Sequence, residues 1–372
     1  MPFIPPAKPS TEDETGSAPD PARRTFLAGL GALFATAGLN LIPREAAAQW
    51  GEPPPPLDRP TWYDRPTWYE RPRRSNRQPW YPQPGWQNRQ NIPEQPSYAP
   101  NLQPWASNDL NISIQRYLTA QRQLGRVAVN ERTAWLVYDF TSGRFLATIN
   151  AGLPYQSASM IKPFIALAYF HKVNDGTLDY TAYHREKMEE MIQYSSNKAT
   201  NYFIALLNET GPRSGPADTE YTLKRRNPGI FRNTKIVEHI PKSGRTYRNR
   251  ASALDYHRFL QALWYDQFPY SGELKRLMHL PNRDRIYTGA REVPQGTLVF
   301  DKTGTTARLC GDMGILVARG RNGRYYPYTF IGIIEKARPT SRYMTWKNIR
   351  GNVIREVSNI TYNHMRRLYD LV

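Results

Sequence analysis

From about residue 108 onward, apolar and polar positions alternate in segments that predict helices and strands of ordinary length. Residues 111–124 have helical spacing and stop before Gly125, which is typical of a helix end. Residues 134–140 and 145–149 are short apolar runs separated by Thr-Ser-Gly-Arg, and this pattern predicts a β-hairpin. The start of this region is therefore predicted to fold as a helix followed by two strands.

Helical patterns dominate the middle of the region, and strands return near its end. Three apolar runs, at 296–301, 313–318 and 326–335, are of strand length, and Asn322-Gly323 predicts a tight turn between the last two. A long helical pattern begins at about Ser341. Strands at both ends with helices between them predict an α+β fold class: an antiparallel sheet of about five strands, flanked by N- and C-terminal helices, with an all-helical lobe inserted.

Lys162 is the first unusual residue in this pattern, because it lies at the start of an apolar helical run that continues to Phe170. A charged lysine in an apolar site is unfavourable, and the usual relief is loss of its proton. A neutral lysine one helical turn after Ser159 would be a base beside a hydroxyl nucleophile. The start of a helix also offers free N–H groups that favour a developing negative charge.

Ser-x-x-Lys alone is a weak signal, since Ser195-Ser-Asn-Lys198 also matches it. Two further elements strengthen the interpretation. Ser195-Ser196-Asn197 falls between helical segments, and Lys302-Thr303-Gly304-Thr305 follows the apolar strand 297–300. Glycine at 304 is expected to leave one face of the strand open for a substrate backbone, and the lysine and hydroxyls suit a carboxylate.

The N-terminal residues predict export. Arg23-Arg24 precede an apolar, Gly- and Ala-rich run to Ile42, and Ala46-Ala47-Ala48 resembles a cleavage site. Residues 1–48 are therefore predicted to be a twin-arginine signal peptide that directs the protein to the periplasm. The apolar run of 17 residues is marginal for a membrane span, and an uncleaved N-terminal anchor is the alternative.

Residues 49–106 differ in composition from the rest of the chain. They contain 14 of the 32 prolines and six of the nine tryptophans, and Asp-Arg-Pro-Thr-Trp-Tyr occurs at 58–63 and again at 64–69. Such a Pro/Trp/Tyr/Arg-rich repeat (RPTWYD) cannot form a packed core and is predicted to be a disordered, extended linker. The alternative is that its aromatic and arginine side chains bind a glycan or another polymer of the cell envelope.

The charge and the cysteine content limit the possible functions. Residues 107–372 hold 39 basic and 22 acidic residues, so this predicted domain carries almost all of the net charge of +18. No recognised nucleic-acid module is present, and outside the cytoplasm an anionic envelope polymer is the expected polyanionic partner. The single cysteine, Cys310, excludes an intramolecular disulfide, and the six histidines show no metal-binding spacing. No metal and no cofactor are predicted.

Taken in order, Ser-x-x-Lys, Ser-x-Asn and Lys-Thr-Gly resemble the serine β-lactamase and penicillin-binding protein superfamily. The resemblance covers roughly 107–372 and is greatest to the class A β-lactamase catalytic domain. Supporting features are the hairpin before Ser159, the Ser-x-Asn-x-x-x-Asn pattern at 195–201, and Ile240-Pro241 before a Ser/Ala-rich helix start. The resemblance implies a β-lactamase-like fold with the site between the sheet and the helical lobe.

The resemblance also implies roles for individual residues. Ser159 would be the acylated nucleophile, Lys162 its base and Ser195 the proton relay to the departing nitrogen. The remaining residues would bind substrate: Asn197 its amide, and Lys302, Thr303, Gly304 and Thr305 its carboxylate and backbone. The backbone N–H groups of Ser159 and Thr305 would form the oxyanion hole.

One element of the class A pattern is missing. The family has a glutamate eight residues before the proline of Ile-Pro, where this sequence has Asn233, and Glu238 lies five residues later. We therefore predict an exported serine hydrolase that forms an acyl-serine with β-lactams or related amides and deacylates weakly. A D-Ala-D-Ala peptidase acting on peptidoglycan stem peptides is the close alternative. A non-catalytic envelope-binding protein on the same fold is the third.

Overall fold

A five-stranded antiparallel sheet forms the centre of the computed structural model, which describes residues 108–242 and 246–372. The strands, in chain order, are β1 (Arg132–Asp139), β2 (Arg144–Ile149), β3 (Pro154–Gln156), β4 (Arg250–Ser252), β5 (Leu298–Thr305), β6 (Leu309–Arg319) and β7 (Tyr325–Glu335). The main sheet has the order β2-β1-β7-β6-β5, and β3 pairs separately with β4. The predicted signal peptide 1–48 and linker 49–106 lie outside the described residues.

Eight α-helices accompany the strands within the described part of the chain. They are α1 (Asn108–Gln123), α2 (Lys162–Asn174), α3 (Ala182–Ile192), α4 (Asn197–Asn208), α5 (Gly215–Arg226), α6 (Ala253–Trp264), α7 (Ser271–His279) and α8 (Tyr343–Tyr369). Helices α1 and α8, the first and the last, pack against each other and against the sheet. Helices α2 to α5 contact one another and form the helical lobe, while α6 packs on the sheet. The predicted α+β architecture is confirmed.

The sheet separates two apolar cores. One core contains α2, α6 and the lobe together with alternate sheet residues such as Phe300 and Met313. The other contains α1 and α8 with the opposite sheet face, including Val299 and Leu316. Because successive side chains of a strand point to opposite faces, Lys302 and Gly304 share the face of Phe300, whereas Asp301, Thr303 and Thr305 share the face of Val299.

Strand β5 lies at the edge of the sheet, and among the described residues it pairs with β6 alone. His279 contacts Val299 O at 2.7 Å on the other edge, which has no strand partner there that would keep a ligand from the later residues of β5. The apolar run at 296–301 predicts a strand that ends near Phe300, but β5 continues through Thr305. Its register with β6 pairs Lys302 with Met313 and Gly304 with Gly311. The Lys-Thr-Gly segment is therefore part of the sheet, and its backbone is held in place by pairing with β6.

No helix within 108–242 or 246–372 is both long enough and apolar enough to cross a bilayer.

Candidate active site

The turn that carries Ser159 is a short 3-10 helix, Ala158–Ile161, that leads directly into α2. The sequence pattern predicts Ser159 at the start of the α-helix itself, but the helix begins at Lys162. Ala158 has a φ of 47°, in the left-handed region that residues with a side chain rarely adopt. Ala158, Met160 and Ile161 are buried, whereas Ser159 is only half-buried. The turn thus anchors its neighbours in the core and leaves the Ser159 hydroxyl accessible.

Gly304 allows strand β5 to pack directly on this turn. A Cβ atom at position 304 would lie 2.9 Å from Met160 Cγ and 3.1 Å from both the Met160 nitrogen and the Ala158 Cβ. These distances are shorter than side chains tolerate, so only glycine fits. The sequence predicts that this glycine leaves a strand face open for substrate. In the structure the space beside it is filled by the turn itself, so Gly304 fixes Ser159 relative to β5.

Lys162 is completely buried, and its ammonium nitrogen points at the segment between α3 and α4. It donates to the backbone oxygen of Ser195, to Ser195 Oγ at 3.1 Å and to Asn197 Oδ1 at 3.0 Å. Lys162, from the Ser-x-x-Lys motif, is therefore hydrogen-bonded to both Ser195 and Asn197, two predicted site residues of the Ser-x-Asn motif.

Ser195 occupies a strained turn. Its φ is 58°, and the next residue, Ser196, caps α4 by accepting a hydrogen bond from Ala199 N at 3.1 Å. This cap fixes the start of α4 and turns Ser195 away from the helix. Lys302 Nζ also lies 3.1 Å from Ser195 Oγ and contacts the backbone oxygen of Thr303 at 3.1 Å. The Ser195 hydroxyl is therefore shared by two lysines.

Burial lowers the pKa of both lysines by different amounts. The pKa of Lys162 falls to about 6, mainly because burial disfavours the ammonium and secondly because Lys302 is close. Burial likewise lowers the pKa of Lys302 to about 8, while the nearby Asp301 and Asp312 carboxyls act in the opposite direction. At neutral pH Lys162 is largely a neutral base and Lys302 is largely a cation.

Arg285 is a site residue that the sequence does not reveal. It lies between α7 and β5, is buried, and donates to Thr305 Oγ1 at 2.7 Å and to Gly311 O at 2.9 Å. Thr303 and Thr305 are half-buried on the same strand. A guanidinium beside the Thr305 hydroxyl is suited to a carboxylate. No local sequence pattern marks this arginine, since its position depends on how the loop before β5 packs.

Two buried carboxyls, Asp301 and Asp312, lie behind this strand on the side of α8. Asn282 donates to Asp301 Oδ1 at 2.9 Å, and the backbone nitrogen of Arg285 donates to Asp312 Oδ2 at 2.6 Å. Burial, together with the neighbouring Asp284, raises the pKa of Asp312 to about 7. Burial and the Asp312 charge raise the pKa of Asp301 well above its usual range. Both carboxyls therefore lose their protons less readily than a carboxyl in water, and when ionised they favour the cationic form of Lys302.

Tyr247 is a second residue without a sequence signal. Its hydroxyl donates to Ala158 O at 2.7 Å and shares a hydrogen bond of 2.9 Å with Ser157 Oγ. Ser157 N in turn donates to Asn249 O at 2.9 Å. Burial raises the pKa of Tyr247, so its hydroxyl keeps the proton that it donates. Tyr247 thus ties the strained residue before Ser159 to the segment that leads into β4.

The segment between α5 and β4 brings no carboxylate to these residues. Asn233, which occupies the sequence position of the family glutamate, contacts Gly152 O at 3.0 Å and Ser252 Oγ at 3.4 Å. Glu238 accepts from Arg248 N at 2.6 Å and Arg248 Nε at 2.7 Å, so both its oxygens are engaged. Among the described residues, no carboxylate is hydrogen-bonded to Lys162 or Ser195.

Asn201 connects the same segment to the site. It accepts from Ile240 N at 2.7 Å and donates to Ile240 O at 2.9 Å, one helical turn after Asn197. The side chain of Asn201 therefore holds the backbone of this segment against α4. Across 108–242 and 246–372, no group of three or more His, Cys, Asp or Glu side chains could hold a metal ion.

Comparisons with known proteins agree with this fold. A model of the β-lactamase enzyme family matches residues 183–365. The solved structure of PBP-A is similar, with 22% identity and a TM-score of 0.55 over 70% of this chain and 97% of that one. A PBP-A mutant in an acyl-enzyme complex with penicillin G has 21% identity and a TM-score of 0.56 over the same shares. A β-lactamase from Desulfarculus baarsii has 16% identity and a TM-score of 0.54, covering 68% of this chain and 98% of that one. No curated protein matches the sequence.

Proposed function

We propose that this chain, which matches a model of the β-lactamase enzyme family over residues 183–365 and has a β-lactamase-like fold, is a serine hydrolase acylated at Ser159. The observation that carries the proposal is the environment of Lys162. A buried lysine with a pKa of about 6, hydrogen-bonded to Ser195 Oγ and Asn197 Oδ1, is a neutral base one turn from an accessible serine. A lysine without a chemical task has no physical reason to be buried beside a second lysine.

The proton route follows from these contacts. Lys162 takes the hydroxyl proton of Ser159 as the serine oxygen attacks the substrate carbonyl carbon. The backbone N–H groups of Ser159 and Thr305 stabilise the oxyanion that forms. The C–N bond then breaks, and the proton passes from Lys162 through Ser195 Oγ to the departing nitrogen. The 3.1 Å distances from Ser195 Oγ to both lysine nitrogens support this relay.

The substrate is an amide that carries a carboxylate on its leaving-group side. On β5, Lys302, Thr303 and Thr305 are proposed to bind that carboxylate together with Arg285 from the preceding loop, and Asn197 is proposed to bind the substrate amide. β-Lactams and stem peptides ending in D-Ala-D-Ala both have this chemistry. The PBP-A structure that contains a penicillin G acyl-enzyme supports the first of these by analogy.

Deacylation is proposed to be slow. Hydrolysis of an acyl-serine needs a base that activates water, and no carboxylate among the described residues is hydrogen-bonded to Lys162 or Ser195 to take that role. Glu238 is engaged by Arg248, and Asn233 contacts Gly152 and Ser252 instead of the site. The arrangement favours a protein that is readily acylated and slowly released.

Export by the twin-arginine pathway to the periplasm is part of the same proposal and rests on the Arg23-Arg24 segment and the Ala-rich site at 46–48. A periplasmic enzyme of this kind meets peptidoglycan. This location also keeps two alternatives open: a D-Ala-D-Ala peptidase, and a non-catalytic envelope-binding protein on the same fold. The near-complete set of polar groups around Lys162 favours catalysis over the second alternative.

Parallel assays of the purified protein and its Ser159→Ala variant distinguish these functions. Consumption of a penicillin and release of D-alanine from a D-Ala-D-Ala peptide are measured under the same conditions. We expect near-stoichiometric penicillin consumption without sustained turnover, abolished by Ser159→Ala. Sustained D-alanine release would favour the peptidase, and neither activity in the intact protein would contradict the proposal.

A further inference from the structure

Four cationic side chains surround the end of β5 beyond Thr305 without a counter-ion among the described residues. Arg308 lies in the β5–β6 turn, and its Nε donates to Lys336 O at 3.2 Å. Lys336 N donates to Arg308 O at 2.7 Å, which fixes the segment after β7 against that turn. Arg338 and Arg342 follow on the same segment and are exposed. This group, Arg308, Lys336, Arg338 and Arg342, is called the basic rim.

Two carboxylates on the segments next to the rim, Glu131 and Glu335, are already neutralised. Glu131 accepts from Trp346 Nε1 at 2.7 Å and forms a buried ion pair with Arg350 at 2.9 Å. Glu335 accepts from Gln156 N at 2.9 Å and pairs with Arg132. None of the salt bridges within the described residues includes a member of the basic rim. Lys336 Nζ lies 5.9 Å from the centre of the uncharged Trp346 ring, so no described carboxylate neutralises the positive charge of the rim.

The rim also has a concave surface. A cavity of about 430 Å³ is lined by Lys336, Ala337, Arg338 and Pro339 on one side and by Ala128 and Asn130 on the other. The backbone of its wall is held to the β5–β6 turn, because Thr340 N donates to Ala307 O at 2.9 Å. A cavity with fixed backbone, two cations and an amide side chain is suited to a carboxylate and the polar chain that carries it.

The position of the rim relative to the proposed chemistry indicates which part of a substrate reaches it. Lys302 and Thr303 would hold the carboxylate of the leaving group, and the N–H of Thr305 would hold the oxyanion. Groups on the acyl side of the scissile bond therefore continue along β5 past Thr305, towards Arg308. From these observations we infer that the basic rim binds an anionic group on the acyl part of the substrate, as in an acidic peptide. This inference rests on the proposed function.

The test uses two penicillins of equal size that differ in one charge. One carries an adipoyl side chain, which ends in a carboxylate, and the other carries the corresponding adipamide, which ends in a neutral amide. The second-order rate constant for acylation of Ser159 is measured for both. We expect the carboxylate compound to react about five- to tenfold faster, the effect of an anion meeting several partly exposed cations. The preference should shrink as ionic strength rises.

Arg338→Gln and Lys336→Gln should each bring this rate ratio closer to one. Arg319→Gln is the matched control, because this substitution also removes one positive charge from an exposed side chain. Arg319 lies at the other end of β6, ~33 Å along the strand from Leu309. It should leave the ratio unchanged. A ratio of one in the unmodified protein, or an equal decrease in all three variants, would overturn the inference while leaving the proposed function intact.

A binding measurement separates failure of the rim from failure of the chemistry. The Ser159→Ala protein is titrated calorimetrically with both compounds, with and without Arg338→Gln. Tighter binding of the carboxylate compound that depends on Arg338 supports the rim even if the unmodified protein is never acylated. Equal binding of both compounds contradicts it.

Discussion

Lys162 Nζ and Lys302 Nζ both lie 3.1 Å from a single atom, Ser195 Oγ. Two ammonium groups cannot share such a position without strong repulsion, and burial disfavours both charges further. The structure resolves this by placing their pKa values apart, at about 6 and about 8. One lysine is thereby a base and the other a cation over the same pH range, and the serine between them can pass a proton.

The pH dependence of acylation follows from this pair. The rate should rise as pH increases through about 6, because Lys162 must lose its proton before it can accept one from Ser159. It should fall above about 8, because neutral Lys302 no longer attracts the substrate carboxylate. The measurement is the second-order rate constant of acylation by a penicillin from pH 5 to 10. Lys302→Arg keeps the cation at high pH and should remove only the alkaline decrease. A profile that is flat between pH 5 and 7 would contradict the role of Lys162.

Tyr247→Phe should slow acylation by about tenfold with little change in penicillin affinity. The substitution removes the hydroxyl that holds Ala158 O, so the strained turn can relax and Ser159 is less often aligned. Saturation kinetics of acylation separate the rate constant from the apparent dissociation constant. Tyr265→Phe is the control, because it removes a similar hydroxyl from the end of α6. An unchanged rate constant, or a change confined to affinity, would argue against positioning by Tyr247.

Gly304→Ala should greatly reduce acylation and also destabilise the protein. Its added methyl group would meet the backbone nitrogen of Met160 at 3.1 Å, so the turn carrying Ser159 must move. Gly272→Ala, in α7, is the matched control, since nothing lies within 4 Å of a Cβ there. Denaturant unfolding and acylation kinetics measure both effects. Wild-type acylation in Gly304→Ala would show that the close contact is not needed.

The buried acids predict how stability depends on pH. Asp312 has a pKa of about 7 in the folded protein, above the 3.8 of an unfolded chain, so the folded state binds more protons between these values. Its contribution to the free energy of unfolding is therefore present at low pH and is lost as pH rises towards 7, with a slope of at most ~1.4 kcal/mol per pH unit. Asp312→Asn should remove this dependence and be relatively more stable at pH 8 than at pH 5. Denaturant titrations at both pH values measure it, and an opposite trend would contradict the raised pKa.

The sequence reveals the parts of the site that have a local pattern. Lys162 is conspicuous because it interrupts an apolar run, and the order of the three motifs predicts which segments meet. The five-stranded antiparallel sheet and its flanking helices are also predictable, since their hydrophobic periods are regular. Gly304 is recognisable as significant, but its contact with Met160 depends on how a turn packs on a strand.

Arg285, Tyr247 and the path of the segment between α5 and β4 could not be predicted. Arg285 and Tyr247 act through long-range hydrogen bonds, which leave no periodic signal. Counting residues back from Pro241 places Asn233 at the position of the family glutamate. The segment instead follows its own contacts, with Glu238 bound to Arg248, so spacing alone does not locate its residues.

The most direct test of the account is intact mass spectrometry of the purified protein incubated with a penicillin, followed over hours and repeated with Ser159→Ala. We predict one penicilloyl adduct per chain that forms quickly, persists after free drug is removed, and is absent from the variant. An adduct that forms equally on the Ser159→Ala protein, or no adduct and no drug consumption by the unmodified protein, would contradict acylation of Ser159. Rapid consumption of the drug without an adduct would contradict slow deacylation.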